Sequence, residues 1–312
     1  MRPGDLIDRG AVLFIGIAVG AVLLLAFQTD GKPLAPLLSG GTDKVADLSP
    51  PATARRTSAT QGSVAPDCHD DFPFSRNVLA GLRANRPLRI GVLGDSFGEG
   101  VWAATNQHFH ATRDFAVYRM SKEATGFTRY RSLDLLQDLK SRLEKQPIDI
   151  ALIDFGANDT QGIWQDGKGA AYMSAQWQKS IGDKVSAYVG YLRDRGVAIG
   201  WVGLPRMRRS AFDNDIQAMN GFYASLMCKL HVPFVNPVRA SEDAGHGFAK
   251  ELVDPETGQS YLARADDGIH MTFHGYEVIA RPLLQRIAVL ATPNQDEADN
   301  ATSGSDQVGG RN

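Results

Sequence analysis

Short apolar runs that alternate with segments of helical period constrain this chain more than any other feature. The runs have the composition of strands buried on both faces of a sheet, with residues 115–118 as a weaker example. The clear runs cover residues 88–93, 148–155, 197–204 and 232–235, and the helical segments cover residues 132–145, 174–195, 215–230 and 273–290. Strands that alternate with helices pair in parallel through right-handed crossovers. The order therefore predicts an α/β fold, a three-layer α/β/α sandwich with a mainly parallel, doubly wound sheet.

Length and charge narrow the possible classes of protein further. The chain has 312 residues, of which 43% are hydrophobic and 22% charged, so it can bury a sizeable core and carry extra segments. Its 33 Lys and Arg residues stand against 35 Asp and Glu residues, for a net charge of -2. No bulk positive field exists to draw such a chain onto nucleic acid, and nucleic acid is not expected as a partner.

The amino-terminal segment of residues 11–27 contains no charged or strongly polar side chain. Its length is at the short end of what crosses a bilayer as a helix. A secretory signal peptide is the alternative, but no small-residue cleavage site follows the segment, which favours an uncleaved anchor. Arg2 and Arg9 precede the segment and Lys32 follows it, so the positive-inside rule places the amino terminus in the cytoplasm.

Composition divides the chain into four parts. Residues 1–30 are predicted as a membrane anchor or signal peptide, and residues 31–65, rich in Pro, Ala, Ser, Thr and Gly, as a flexible linker. Residues 66–292 form the predicted folded domain, and residues 293–312 a disordered tail. The expected location is the bacterial inner membrane, with a single span and the folded domain in the periplasm, or secretion if the segment is cleaved.

The two cysteines leave one question open. Cys68 stands at the start of the predicted domain and Cys228 lies far along it. In an oxidising compartment they can form a disulfide, while two buried thiols are an equally good interpretation because sequence spacing does not give distance in the fold.

Three loops carry the polar residues that chemistry requires. The segments 94–96 and 156–160 each follow an apolar run, and the segment 266–272 precedes the last helical segment. The carboxyl ends of parallel strands meet at one edge of a sheet, so we expect these loops to lie together. They supply a hydroxyl, an imidazole, carboxylates and amide donors. Covalent catalysis of acyl transfer needs those groups.

The order of three blocks resembles a known family. Gly94-Asp95-Ser96, Gly156-Ala157-Asn158-Asp159 and Asp267-Gly268-Ile269-His270 match the blocks of the SGNH or GDSL hydrolases, which are lipases, esterases and carbohydrate O-acyl hydrolases or transferases. The resemblance covers residues 88–290 and implies a flavodoxin-like fold. It extends to a bacterial, membrane-anchored subgroup, and no cofactor is expected.

The resemblance also implies roles for individual residues. Ser96 is expected to be the nucleophile, His270 the base, and Asp267 the group that orients the imidazole, with Asp266 as the alternative. Asp95 next to the nucleophile is expected to be structural.

An oxyanion hole is implied as well. It would consist of the Ser96 and Gly126 N–H groups and the Asn158 side chain, with Gly100 as the rival to Gly126 and Asp159 as a brace for the Asn158 loop.

Departures and additional candidates complete the site prediction. Phe97 replaces the leucine of the family name, which should affect packing more than catalysis. Arg206, Arg208 and Arg209 follow the run of residues 197–204, and the first two are the predicted ligands of an anionic substrate or a charged acyl group, unless the segment is a solvated basic loop. His270 and His274 stand four residues apart, but no HExxH pattern or cysteine cluster accompanies them, and no metal is expected.

The leading functional hypothesis is a serine esterase or O-acyltransferase that acts on an acylated cell-envelope glycan. A lipase or thioesterase for membrane-derived acyl esters is the first alternative, and a non-catalytic periplasmic scaffold the second. Hydrolysis and transfer need the same triad, since only the group that attacks the acyl-enzyme differs.

Overall fold

The computed structural model describes residue 72, residues 74–165 and residues 167–291. The predicted anchor, linker and tail lie outside the described residues. Within the part that is described, no helix is both long and apolar enough to cross a membrane. Cys228 is disulfide-bonded, and Cys68, the other cysteine of the chain, lies outside the described residues.

Helices and strands alternate along the described residues. The strands are β1 (Leu88–Gly94), β2 (Phe115–Arg119), β3 (Ile150–Asp154), β4 (Ile163–Gln165), β5 (Lys168–Ala170), β6 (Ala198–Val202), β7 (Phe234–Val235), β8 (Glu251–Val253) and β9 (Ser260–Leu262). The helices are α1 (Arg76–Arg83), α2 (Ser96–Phe109), α3 (Leu135–Lys145), α4 (Ala175–Asp194), α5 (Ser210–Lys229) and α6 (Phe273–Ala291).

A five-stranded parallel sheet forms the centre, in the order β2-β1-β3-β6-β7. Counting only its own strands, the order is 2-1-3-4-5, the doubly wound order of flavodoxin-like folds. One face packs against α2 and α6, through residues such as Val101 and Leu283, and the other against α3 and α4, through Leu139 and Val185. Burial on both faces explains why these strands are continuous apolar runs. The predicted fold class is confirmed.

The connection from β1 to α2 depends on one glycine. Gly94 has a φ of +158°, and a Cβ atom there would lie 2.2 Å from the carbonyl oxygen of Asp154 on the neighbouring strand. A side chain at Gly94 would therefore push β1 away from β3. Asp95 then caps the helix, since its Oδ1 accepts a hydrogen bond from the Phe97 N–H at 2.9 Å. Ser96 is thereby held as the first residue of α2, at the carboxyl edge of the sheet.

Four features differ from the sequence prediction. The helix α1 and the two antiparallel hairpins, β4–β5 and β8–β9, were not predicted. The hairpin strands are too short to show a hydrophobic period. The helix α5 begins at Ser210 rather than at residue 215, and Arg209 before it makes no capping hydrogen bond with its side chain. The usual capping signal for a helix start is therefore missing from the sequence.

Candidate active site

Side chains from two of the three predicted loops form a continuous hydrogen-bonded chain. Ser96 Oγ lies 2.8 Å from His270 Nε2, although the two residues are 174 positions apart in sequence. His270 Nδ1 lies 2.6 Å from Asp267 Oδ2. With Nδ1 protonated to donate to this carboxylate, Nε2 is left as an acceptor for the Ser96 hydroxyl. The arrangement can accept a proton from Ser96 onto an imidazole that a carboxylate orients.

The loop before α6 fixes the carboxylate. Asp267 Oδ1 accepts hydrogen bonds from the Ile269 N–H at 2.7 Å and the His270 N–H at 2.9 Å. Burial raises the pKa of Asp267, but hydrogen bonds from the His270 ring and the two N–H groups outweigh it and lower the pKa to about 2. Asp267 is thus ionised at neutral pH. The alternative, Asp266, points to Lys250 Nζ at 2.7 Å, so Asp267 is the acid that contacts the imidazole.

Phe97 packs against the imidazole. Its ring is fully buried and stacks on His270, with centroids 5.1 Å apart and planes at 29°. Tyr276 of α6 meets the Phe97 ring edge-on, with centroids 6.1 Å apart. The packing role predicted for this position therefore includes a direct contact with His270.

Gly126 lies just before a short 3₁₀ turn, Phe127–Arg129. No described residue accepts a hydrogen bond from its N–H. A Cβ atom at Gly126 would lie 2.4 Å from Asp159 Oδ1, so the close approach requires glycine here. The rival Gly100 lies inside α2, where a Cβ atom would be 2.2 Å from the Tyr276 ring. Since a helix-interior N–H is engaged by its own helix, the placement favours Gly126 over Gly100 as an oxyanion donor.

Asn158 is held by hydrogen bonds to Asp95 and to the residue before Gly126. Its Nδ2 donates to Asp95 Oδ2 at 3.1 Å and to the Thr125 carbonyl at 3.0 Å. Both amide hydrogens thus have protein acceptors. An oxyanion at this position would have to compete with one of them, and a role for Asn158 in stabilising it stays a prediction.

Two buried carboxyl groups lie beneath the nucleophile. Burial raises the pKa of Asp95 to about 7, against the hydrogen bond from the Phe97 N–H. Burial, and then the charge of Asp95, raise the pKa of Asp154 well above its ordinary range. Neither carboxyl oxygen of Asp154 has a hydrogen-bond partner among the described residues. Burial therefore favours the protonated form of Asp154. An aspartate within an apolar run is the signal that could have singled it out in the sequence.

The comparison with protein families decides where this chain belongs. The family model described as "Protein of unknown function (DUF459)" matches residues 89–286. The chain belongs to this family. DUF459 is a family of the SGNH/GDSL hydrolase superfamily, so the predicted superfamily is confirmed, while the membrane-anchored subgroup stays a prediction. The matched segment contains all three sequence blocks.

Several solved structures are similar to this DUF459 protein at low identity. A catalytic mutant of Axe2, an acetylxylan esterase from Geobacillus stearothermophilus, is 15% identical, with a TM-score of 0.45 over 65% of this chain and 94% of that chain. An alpha/beta hydrolase enzyme from the metagenome of Lake Arreo, Spain, is 14% identical, with a TM-score of 0.45 over 66% of this chain and 97% of that chain. No curated protein matches in sequence. Similarity at this level does not identify a substrate.

The two arginines predicted to bind substrate differ in their surroundings. Arg206 pairs with Asp213 at 2.9 Å and with Glu242 at 3.1 Å, so its charge is already balanced. Arg208 is exposed and donates its backbone N–H to the Gly268 carbonyl at 3.0 Å. In this DUF459 chain the placement supports Arg208 beside the candidate site and assigns Arg206 to a structural ion-pair cluster.

His274 is engaged away from His270. Its Nε2 lies 2.9 Å from Asp254 Oδ2, and its Nδ1 3.4 Å from Glu277 Oε2. Among the described residues, no group of three or more His, Cys, Asp and Glu side chains is placed to hold a metal ion.

Arg264 lies near the site and was not predicted from the sequence. Arg264 is fully buried, and its Nη2 donates to the Ile269 carbonyl at 2.7 Å. Its Nη1 lies 2.8 Å from Met271 Sδ. Burial lowers the pKa of Arg264 to about 10, so it stays charged at pH 7 behind the Asp267 loop. The sequence around Arg264 contains no pattern that would have indicated this position.

Proposed function

We propose that this DUF459 protein is a serine esterase or O-acyltransferase that works through an acyl-enzyme on Ser96. The observation that carries the proposal is the hydrogen-bonded chain from Ser96 through His270 to Asp267. A serine hydroxyl is a weak nucleophile unless an adjacent base takes its proton, and His270 stands where such a base is needed.

The chemistry follows two half-reactions. Ser96 Oγ attacks the acyl carbon while its proton passes to His270 Nε2, and a tetrahedral oxyanion forms. His270 then gives the proton to the departing alkoxide, the C–O bond breaks, and the alcohol leaves. Water or a sugar hydroxyl next gives its proton to His270 and attacks the acyl carbon. The bond to Ser96 Oγ breaks, and Ser96 recovers its proton.

Backbone N–H groups are proposed to stabilise the oxyanion. Ser96 is the first residue of α2, where an N–H has no partner within the helix. The Gly126 N–H is the second donor, and the Asn158 amide the third if it exchanges one of its present acceptors. One such donor is typically worth about 3 kcal/mol of transition-state stabilisation.

The proposed substrate is an acylated cell-envelope glycan. The predicted anchor in residues 1–30 supports this class, because it would hold residues 66–292 at the outer face of the bacterial inner membrane. Membrane attachment and the periplasmic location are part of the same proposal.

A cavity favours the lipase or thioesterase alternative. It has a volume of about 370 Å³ and adjoins Gly126. Its lining combines the less polar residues Phe127, Tyr130, Leu133, Leu135, Leu136 and Ala187 with the polar and charged residues Asp134, Gln165, Ser180, Asp183 and Lys184. An acyl chain placed there would begin beside the proposed oxyanion donor. The glycan esterase predicts faster turnover of acetyl than octanoyl 4-nitrophenyl esters, and the alternative predicts the reverse.

Labelling with a fluorophosphonate tests the nucleophile without knowledge of the substrate. The full-length protein should gain one adduct by intact mass, and the Ser96→Ala variant none. A Ser225→Ala variant is the matched control and should label like the wild type, because Ser225 lies on exposed helix surface and bonds to the Gly221 carbonyl. Absence of any adduct on wild-type protein with a folded circular dichroism spectrum would overturn the proposal and favour the scaffold.

A further inference from the structure

A second cavity adjoins the proposed triad on the side of Asp267. Its volume is about 340 Å³. The residues that line it are Arg208, Arg209, Phe212, Asp267, Gly268 and Ile269. The carboxylate of the proposed triad thus lines this cavity together with two cationic side chains from the β6–α5 connection.

The fold holds Arg208 across the Asp267–His270 loop. Gly268 has a φ of +73°, and a Cβ atom there would lie 2.6 Å from both Cβ and Nε of Arg208. The side chain of Arg208 therefore fills the space that a larger residue at position 268 would need. Its guanidinium also lies over the Phe248 ring, 5.5 Å from the centroid, a contact that restricts its orientation.

Arg209, which also lines the cavity, contacts an aromatic ring in a similar way. Its guanidinium lies 5.6 Å from the centroid of the Phe212 ring. Both arginines are exposed, and neither forms an ion pair with a described residue, whereas nearby Arg206 pairs with two carboxylates. The two guanidiniums are thus ordered by aromatic rings while their hydrogen-bond donors face solvent.

The charges around the cavity do not cancel. Asp267 is the one carboxylate among the lining residues, and its oxygens already accept hydrogen bonds from His270 and Ile269. Its neighbour Asp266 pairs with Lys250. Buried Arg264, which forms no ion pair with a described residue, adds a further positive charge behind the loop. Two guanidiniums therefore line the cavity with one engaged carboxylate, and a third lies behind the loop.

We propose that this cavity binds an anionic oxygen group of the substrate, a carboxylate or a phosphate, through Arg208 and Arg209. The inference rests on the proposed function and narrows its substrate class to esters that carry a negative charge near the scissile bond. Guanidinium groups suit this task because their planar donors match the oxygens of carboxylate and phosphate in pairs. The excess positive charge also concentrates such substrates at the site.

Matched acetyl esters test the inference with the full-length protein. The neutral substrate is methyl 4-acetoxybenzoate, and the anionic substrates are 4-acetoxybenzoate and 4-acetoxyphenyl phosphate. The ratio of kcat/KM for an anionic to the neutral ester is compared between proteins, so that intrinsic ester reactivity cancels. An Arg208→Gln, Arg209→Gln double variant should lower this ratio at least tenfold for one anionic ester, and that ester identifies the oxygen group.

Two controls keep the outcomes apart. Arg113→Gln removes an exposed charge before β2, at the opposite end of the strands, and should leave the ratio unchanged. Raising NaCl from 0.05 to 0.5 M should lower the ratio in wild type but hardly in the double variant. A ratio that the double variant leaves unchanged for both anionic esters overturns the anion site, whereas absence of fluorophosphonate labelling overturns the proposed function itself.

Discussion

The two carboxylate oxygens of Asp267 make different contacts in the proposed triad. One oxygen contacts the His270 ring, and the other closes the loop through the Ile269 and His270 N–H groups. These bonds depress the pKa of Asp267 to about 2, so its charge is present throughout the physiological range. Asp95, which is buried and precedes Ser96 in the chain, is a second carboxyl group near the proposed nucleophile whose protonation can be tested.

Asp267→Asn should slow fluorophosphonate labelling of Ser96 by about 10³- to 10⁴-fold, because an amide no longer holds the imidazole in the tautomer that accepts the serine proton. The second-order labelling rate measures the effect. Asp266→Asn is the matched control, since this adjacent carboxylate pairs with Lys250 and should change the rate less than twofold. Equal losses in both variants would contradict the assignment of Asp267.

Asp95 should make stability fall as pH rises. Its pKa is about 7 in the folded protein, against 3.8 ordinarily, so the unfolded chain loses this proton first. The contribution of Asp95 to the free energy of unfolding is therefore greatest below about pH 4, and it is lost as the pH rises from about 4 to about 7.

Urea unfolding at pH 4.5 and pH 8 tests this direction in wild type and in Asp95→Asn. The variant should be less stable at both pH values, because an amide at position 95 would face the Asn158 amide. Its stability should nevertheless decline less between the two pH values than that of wild type. An equal or steeper decline in the variant would show that Asp95 does not titrate as described.

The 3₁₀ turn Phe127–Arg129 shows how one element is positioned by another. Buried Asp159 accepts hydrogen bonds from the Phe127 N–H at 3.1 Å, the Thr128 N–H at 2.7 Å and the Thr128 hydroxyl at 2.7 Å. The loop after β3 thereby fixes the turn that carries Gly126. The sequence predicted Asp159 as a brace for the Asn158 loop, whereas the side-chain hydrogen bonds of Asp159 in the described residues go to a segment some thirty residues away.

Asp159→Ala should lower the free energy of unfolding by about 3 kcal/mol, because three buried donors lose their acceptor. It should also slow labelling of Ser96, since Gly126 is no longer held in place. Asp243→Ala is the control, as Asp243 accepts two backbone N–H groups in an exposed turn far from this segment in sequence. Full labelling by a destabilised Asp159→Ala protein would argue against Gly126 as an oxyanion donor.

At the scale of the whole molecule, the carboxyl end of the sheet carries the proposed catalytic site, and the amino end carries a buried carboxylate with two arginine partners. At the carboxyl end of β1, Ser96 meets His270 and Asp267 from the loop before α6. Before the amino end of β3, buried Asp149 binds the Arg86 guanidinium at 2.6 Å and the Arg89 guanidinium at 2.8 Å. Burial alone raises the pKa of Asp149, but hydrogen bonds from Arg86 and Arg89 outweigh it and lower the pKa.

Asp149→Ala should therefore cost stability without affecting labelling. Removing one partner of a buried ion pair typically costs about 3–5 kcal/mol. Urea unfolding measures the loss, and the labelling rate of Ser96 under native conditions should match wild type. A large fall in labelling of the folded variant would mean that the two ends of the sheet are coupled.

The sequence by itself determined the order of the five sheet strands and of the helices between them, and its resemblance to the SGNH hydrolases implied the roles of Ser96 and His270. The hydrophobic period of a strand or helix is a local property of the sequence. Because the central strands are buried on both faces of the sheet, they are recognisable as continuous apolar runs. The positions of Ser96, Asp267 and His270 followed because each lies in a short block at a loop, and parallel strands bring such loops to one edge.

Only the tertiary structure decided how each charged group is used. Arg206 and Arg208 are two arginines of the same short segment, and the sequence does not distinguish their roles. In the structure Asp213 and Glu242 neutralise Arg206, whereas Arg208 packs against Gly268. The burial of Arg264 and the hairpins of short strands were likewise invisible in the sequence. The physical reason is that ion pairing, burial and strand pairing depend on neighbours distant along the chain, and local patterns of residues do not record those neighbours.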